Sequence, residues 1–301
     1  MYDLAIIWAG SAGLPAGIYA SRYKIKNIII GELLGGALTQ AHQVENYPGF
    51  EKIAWAELME KFLFHAKAFW SDIYHDRVSE VKKEWENFEI TTQNWKKINS
   101  KYILIAIWNK YRHLNIKWEK EFIGKWVSYC ATCDGMFYRN KEVALVGGWN
   151  SALTEALYLA DICAKVYLIH RRWEFRWDKV LVDRAVNHPK IEILYNEEVK
   201  TINWEMFVEE ISLKSWKNLK IDWIFIAIWN EPDTSLFDNL GLDKDESDYI
   251  IVDSRQKTTV DWVYAAGDIT TNSNKFQQTL ISAAEWALAA NSIHEDILRN
   301  N

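Results

Sequence analysis

The sequence predicts an α/β protein made of two strand–loop–helix–strand units, the second inserted into a discontinuous first. Three observations carry this. Apolar strand-like runs alternate with helical periods along the chain. The order of apolar run, small-residue loop and helix that opens the chain restarts about 140 residues later. A further strand-like run, DWVYAAGDI at 261–269, ends in a small-residue turn and leads into a long helical pattern that can close the first unit.

The elements follow in order. DLAIIW leads into a helix over about 11–23, and NIIIG at 27–31 supplies the next strand, which is βαβ spacing. AWAELMEKFLFHAKAFW at 54–70 has helical apolar spacing, and FEITTQ (88–93) and KYILIAIW (101–108) read as strands. In the second unit KEVALVGGWNSA (141–152) is strand and loop, ALTEALYLADIC its helix and AKVYLIHRR (164–172) the next strand. The last helix is expected over 276–299. Linkers fall near 109–118 and 230–242, giving one domain from 1–112 with 241–301 and another from 113–240.

A strand that runs through a glycine loop into a helix leaves free N–H groups at the helix N-terminus, a cradle for a pyrophosphate. Two such units imply two dinucleotides and two Rossmann-like nucleotide-binding domains. The first loop reads Trp8-Ala9-Gly10-Ser11-Ala12-Gly13 and the second Gly147-Gly148-Trp149-Asn150-Ser151.

Bulk properties narrow the classes. A net charge of −6 offers no basic footprint for nucleic acid. No apolar run reaches the length of a membrane span, and no charged-then-apolar leader opens the chain, so a cytoplasmic protein is expected. No G-x-S-x-G occurs, Gly124-Lys125 lacks the Ser or Thr of a P-loop, and the seven histidines show no ligand spacing, so no metal is expected.

Three cysteines are too few for a disulfide scaffold. Cys130 and Cys133 form a C-x-x-C with Asp134 beside it in SYCATCDG. Structural zinc would need a second ligand pair, which is absent. A pair of unlinked thiols in a loop is the plainer alternative. A redox dithiol fits best, and with two nucleotide sites it suggests an electron relay from nicotinamide to flavin to disulfide. Cys163 falls in an apolar helical pattern and reads as a small buried hydrophobe.

With these segments the chain resembles the low-molecular-weight thioredoxin reductases from residue 1 to about 295. The resemblance rests on the N-terminal loop, GGALTQ (35–40), VENYPGF (44–50), SYCATCDG, VGGWNSALTEA, HRRWEFR (170–176), AAGD (265–268) and FQQTLISAAEWALAA (276–290). The placement of CATCD just before the second nucleotide loop is its most specific part. It implies FAD in the first domain, approached by Gly10, Ser11 and Gly13, with Glu32 near the ribose and Gly35, Gly36, Thr39 and Asn46 lining the site. Gly267 and Asp268 would hold the ribityl chain, and Gln277, Gln278 and Thr279 the flavin edge; the family often has Arg where Gln277 stands. It implies NADPH in the second domain, with Gly148, Asn150 and Ser151 at the pyrophosphate, Glu155 one turn on and His170 as pocket wall.

Arg171, Arg172 and Arg176 follow the second strand of that unit. An acidic residue there would bind the ribose hydroxyls of NADH, whereas arginines favour the 2′-phosphate of NADPH; a solvated basic cluster is the bland alternative. The resemblance further implies thioredoxin as the disulfide substrate, Cys133 as the sulfur facing the flavin, Cys130 as the interchange thiol, Asp134 as proton donor, and a homodimer. A related reductase with another protein acceptor is the runner-up.

One feature of composition stands against the motifs. The chain holds 17 Trp and only 13 Gly in 301 residues, where glycine ordinarily makes up about 7%. Trp8 and Trp149 sit inside the phosphate loops. Trp108, Trp118, Trp126, Trp229, Trp262 and Trp286 stand in frames where the family has glycine, and Trp85, Trp95, Trp204, Trp216 and Trp223 in polar contexts that read as turns. A bulky residue forced to positive φ costs about 1–2 kcal/mol, and overpacking a tight site roughly 1–3 kcal/mol more. A dozen such sites would exceed a total stability of about 5–15 kcal/mol. The expectation is a decoding artefact, glycine codons of the UGA type written as tryptophan. If the tryptophans are real, the chain reads instead as an inactive nucleotide-binding module.

Overall fold

The computed structural model describes residues 1–10, 13–31, 43–107, 109–110, 112–176, 178–204, 208–228, 231–275 and 278–300, without the side chains of 43, 109–110, 132–133 and 274–275. The chain divides into two compact units, one from residues 1–39, 43–110 and 231–301, the other from 111–230.

In the first unit the strand Tyr2–Ile7 pairs in parallel with Asn27–Ile30 on one side and Lys97–Ile105 on the other, and Asp72–Tyr74 extends the sheet beyond Asn27–Ile30. Tyr2–Ile7 and Asn27–Ile30 are buried almost throughout, the continuous apolar reading expected of parallel strands covered on both faces. The nine-residue strand Lys97–Ile105 has two partners on its other edge. Its first half meets Asn87–Thr92 in an antiparallel meander that Val78–Glu84 completes, and its second half meets Val263–Ala265 in parallel. The C-terminal segment therefore does return to the N-terminal sheet. Helix Gly13–Arg22 packs between that sheet and the long helix Thr279–Arg299, around Leu14, Ala16, Ala20, Ala289 and Ile293.

The second unit has an all-parallel sheet in the order Val127–Ser128, Trp223–Ala227, Glu142–Gly147, Lys165–His170, Ile191–Tyr195. Helix Asn150–Ile162 covers one face through Leu153, Ala156 and Leu159. A three-stranded antiparallel sheet, Val199–Trp204, Val208–Leu213 and Asn218–Lys220, covers the other through Ile202, Ile211 and Leu213. Within the two segments read as linkers, Asn109–Lys110 and Glu231–Pro232 form a short antiparallel ribbon. Cys163 is not inside its helix as expected. It is the residue that ends the helix, fully buried and free, and burial pushes its thiol up to about 11, so it stays protonated and inert. No helix among the described residues is long and apolar enough to cross a membrane.

The tryptophans distribute in an unusual way. Among the described residues fourteen non-glycine residues have positive φ, and seven are tryptophan: Trp8 (108°), Trp70 (64°), Trp85 (54°), Trp95 (61°), Trp118 (74°), Trp216 (64°) and Trp262 (65°). Only a few per cent of non-glycine residues adopt such angles, mainly Asn and Asp. Trp70 follows helix Trp55–Ala68 at the position where its N–H bonds to Lys67 O while that of Ser71 bonds to Ala66 O. This is the Schellman closure, whose left-handed residue is usually glycine. Lys24 plays the same part after helix Gly13–Arg22, so one such residue is not diagnostic.

The hairpins repeat the pattern. Trp95 N bonds to Thr92 O, and Trp216 N to Leu213 O, each closing a turn whose last residue takes the left-handed slot of a glycine bulge. Trp85 opens the two-residue turn between the paired Glu84 and Asn87. Two expectations fail: Trp204 ends a strand, and Trp223 begins one and is buried. Trp108, Trp177 and Trp229 lie outside the described residues.

Candidate functional site

The first loop is shaped by glycine. A Cβ on Gly13 would lie 1.9 Å from Trp8 O, and one on Gly31 2.4 Å from Ala9 N. The strand can therefore turn into the helix only because these side chains are missing. Gly10 O accepts the first helical bond, from Leu14 N. At the far end of the chain Gly267 has φ 81°, and its N–H donates to Glu285 Oε2 at 2.8 Å. Glu285 also accepts from Ser273 Oγ.

The adjacent Asp268 accepts from Ser282 Oγ at 3.0 Å, and burial pushes its carboxyl up to about 6. Asn46 Nδ2 donates to Gln278 Oε1 at 2.8 Å, so two residues 232 positions apart in the chain meet. Thr279 opens the long helix beside them. Gly10, Gly13, Asn46, Gly267, Asp268, Gln278 and Thr279 all belong to this unit. Ser11, Glu32, Gly35, Gly36, Thr39 and Gln277 lie outside the described residues. Ser282 and Glu285 were not read from the sequence. Their signal was there in the Gly267-Asp268 turn facing a helix with polar residues three apart.

The second loop follows the same logic. A Cβ on Gly147 would lie 2.4 Å from Ala227 O, and one on Gly148 2.0 Å from His170 Nδ1. His170 is buried over Gly148, its Nε2 3.0 Å from Glu174 O and its ring stacked on Phe175 at 4.6 Å. Burial holds its imidazole below the usual histidine range, with Arg172 and Arg171 adding to the effect. Helix Asn150–Ile162 starts directly after this turn, with Trp149 at its N-cap and no side chain capping it. Asn150 Oδ1 accepts from Asp178 N, and Ser151 is exposed. Arg171 and Arg176 are exposed and Arg172 half-buried at the carboxyl end of the strand Lys165–His170. That end of a parallel sheet is where ligands bind in this architecture.

Glu155 sits one turn into the helix. Its Oε2 is buried without a partner, and burial pushes the carboxyl from 4.5 up to about 8. With the folded value raised, this group favours the folded state most below the unfolded value. That contribution is lost as pH rises toward about 8 and is flat beyond. Glu155→Gln is expected to remove this slope, raising the urea-unfolding free energy at about pH 8 by roughly 1–3 kcal/mol with little change near pH 4. An unaltered slope would mean the carboxylate ionises freely.

The cysteine segment hangs from the strand Val127–Ser128. Cys130 N donates to Ser128 Oγ at 3.0 Å, and Asp134 N bonds to Cys130 O, closing one helical turn, Ala131–Asp134. Cys130 is disulfide-bonded and 7% exposed; the side chain of Cys133 is not among those described. Asp134 is half-buried, and its charge adds to burial in raising the Tyr138 hydroxyl. The preceding residue is anchored too. Tyr129 Oη donates to Glu119 Oε1 at 2.5 Å, and His113 Nδ1 lies 2.6 Å from the same hydroxyl. Glu119 is fully buried and accepts from the backbone N–H groups of Leu114 and Asn115. Beyond the turn Met136 and Phe137 are exposed, an apolar surface next to the redox pair.

Both loops fit a dinucleotide in their glycine cradles and open helix N-termini. The fit fails at two points, Trp8 and Trp149, where a bulky residue stands in the turn in place of the glycine that lets backbone approach a pyrophosphate. No cluster of three potential metal-ligating side chains occurs among the described residues.

Comparison with known proteins agrees with this geometry. Residues 2–290 match the family described as pyridine nucleotide-disulphide oxidoreductase. A thioredoxin reductase of Bacillus subtilis is 34% identical, over 97% of this chain and 94% of its own. Among solved structures, the thioredoxin reductase of Lactococcus lactis superposes with a TM-score of 0.94 at 28% identity, over 99% of this chain and 100% of that one. That of T. acidophilum superposes at 0.93 with 32% identity, over 99% of each. The chain belongs to the pyridine nucleotide-disulphide oxidoreductase family.

Proposed function

We propose that this chain is a thioredoxin reductase, moving an electron pair from NADPH through FAD and the Cys130–Cys133 pair to the disulfide of thioredoxin. One observation carries the reading: a C-x-x-C turn, with Cys130 held in a disulfide, hangs from the same parallel sheet that bears the second nucleotide loop. Structural cysteines have no need of that company.

FAD would be held by Gly10, Gly13, Asn46, Gly267, Asp268, Gln278 and Thr279, with Ser282 and Glu285 fixing Asp268 and the Gly267 backbone. NADPH would be held by Gly148, Asn150, Ser151, Glu155, His170, Arg171, Arg172 and Arg176. Bound flavin supplies two-electron chemistry between a hydride donor and a disulfide. The chain's own part is thiol exchange. A thiolate of the reduced pair attacks the acceptor disulfide, a mixed disulfide forms, and the second cysteine releases it. Asp134, beside the pair, is the group placed to hand a proton to the departing sulfur. Exposed Met136 and Phe137 favour a protein acceptor over a small one, because apolar surface beside a reactive centre suits a macromolecular partner. A homodimeric cytoplasmic enzyme is part of the proposal.

The direct test is NADPH oxidation, with thioredoxin as acceptor, by the purified protein carrying Trp8→Gly and Trp149→Gly, the two points at which the loops fail to fit a dinucleotide. Turnover with glutaredoxin-like or peroxiredoxin partners and not thioredoxin would replace the acceptor. No turnover with any of them would end the reading. Cofactor choice has its own test. Replacing Arg171 and Arg172 with Ser is expected to cut kcat/KM for NADPH by about a hundredfold, as two charge-assisted bonds at about 1.5–3 kcal/mol each allow, and to leave NADH nearly unchanged. Equal losses for both nucleotides would make the arginines a solvated surface cluster.

A further inference from the structure

We infer that the tryptophans of this sequence stand at positions that are glycine in the protein the cell makes, the gene writing them with UGA, a codon that one variant code reads as tryptophan and another as glycine. Four independent observations converge. The first is backbone angle: seven tryptophans lie at positive φ, and Trp8, at 108°, is beyond even the left-handed region that Asn and Asp enter. The second is hydrogen-bonded context. Trp70 occupies the left-handed slot of a Schellman closure, and Trp95 and Trp216 that of two glycine-bulge hairpins. An aromatic at 86–96% exposure, as at Trp70, Trp85, Trp95 and Trp216, gains nothing from being there.

The third concerns the buried ones. Trp55, Trp223 and Trp286 are enclosed in the cores, and the indole N–H of each, like that of Trp8, has no hydrogen-bond partner. A tryptophan selected for a core normally finds one. Trp286 Nε1 moreover lies only 3.0 Å from where a Cβ on Gly267 would sit. The fourth is position in the loops. Glycine at 8 turns the first loop into G-x-G-x-x-G, and glycine at 149 extends the second to three consecutive glycines before Asn150. These are the two points at which the present residues fail to fit a dinucleotide. A set of unrelated substitutions would not choose one residue type for helix ends, hairpins, cores and phosphate loops together, whereas one misread codon would.

The test needs no activity. Peptides covering residues 8, 70, 85, 95, 118, 216 and 262, taken from the protein isolated from the cells that carry the gene, are expected to give glycine by tandem mass spectrometry, and the gene to carry UGA at those codons. Tryptophan in those peptides, or UGG at those codons, overturns the inference and leaves the proposed function standing. The consequence for the nucleotide sites rests on that function. Expressed side by side, the chain with Trp8→Gly and Trp149→Gly is expected to retain FAD at near one per chain through gel filtration, and the chain as written less than a tenth of that. Full flavin retention by the chain as written overturns the claim that Trp8 obstructs the first loop, and unaltered NADPH affinity the same claim for Trp149 and the second.

Discussion

Serine at either Cys130 or Cys133 is expected to lower NADPH-driven thioredoxin reduction by at least about a thousandfold, the scale on which losing a covalent nucleophile acts. The reason is that exchange needs two sulfurs. One thiolate opens the acceptor disulfide, and without the second the mixed disulfide has no internal route to release. The two single variants should therefore be equally dead and chemically different. The one that keeps the interchange thiol accumulates a covalent complex with thioredoxin, visible on a non-reducing gel; the other does not. Which variant traps the complex assigns the two roles directly. The double variant should add little to either single loss, because the cysteines act as a unit. NADPH-driven reduction of an artificial one-electron dye should survive in all three, since it needs no disulfide. Retained thioredoxin turnover in the double variant would remove the dithiol from the mechanism altogether. Cys163 serves as the internal control. It is buried, free and held protonated, so an alanine there should alter stability and leave exchange chemistry alone.

The legibility of this chain is uneven for physical reasons. The parallel strands were readable because a strand covered on both faces carries a continuous apolar run, as residues 4–7 and 166–169 do. The loops were readable because Gly13 and Gly148 sit where a Cβ would strike backbone or a neighbouring ring. The antiparallel sheet over 199–220 was not read as strands. Its register shifts between Val199 and Thr201 and again between Asn203 and Trp204, and each bulge breaks the alternation that would have signalled a half-buried strand. Ser282 and Glu285 were missed because their role depends on a turn 14–18 residues earlier in the chain, a signal that shows only once the turn and the helix are set face to face. Trp223 was misread as a turn residue from its polar neighbours, although the run behind it is the interior buried strand Trp223–Ala227. The tryptophan excess was legible at once. Its cause became physical only when half of the described tryptophans proved to need a backbone that suits glycine.

That backbone makes a second large effect measurable in the chain as written. Replacing Trp70, Trp85, Trp95 and Trp216 together with glycine is expected to stabilise it by about 2–4 kcal/mol. Each left-handed tryptophan costs about 1–2 kcal/mol, and the freedom glycine regains in the unfolded chain takes back about 0.5–1. The four sites are solvent-exposed and belong to separate turns, so no packing is lost and the gains should nearly add. The measurement is the urea midpoint at constant slope, which reports stability and not a change in compactness. Alanine at the same four positions separates the backbone from the indole. Alanine also removes the exposed aromatic but keeps the Cβ that opposes positive φ, so it should recover little of the gain. If alanine stabilises as much as glycine, the penalty lies in exposed apolar surface. If glycine destabilises, these turns prefer tryptophan and the angles are not strained.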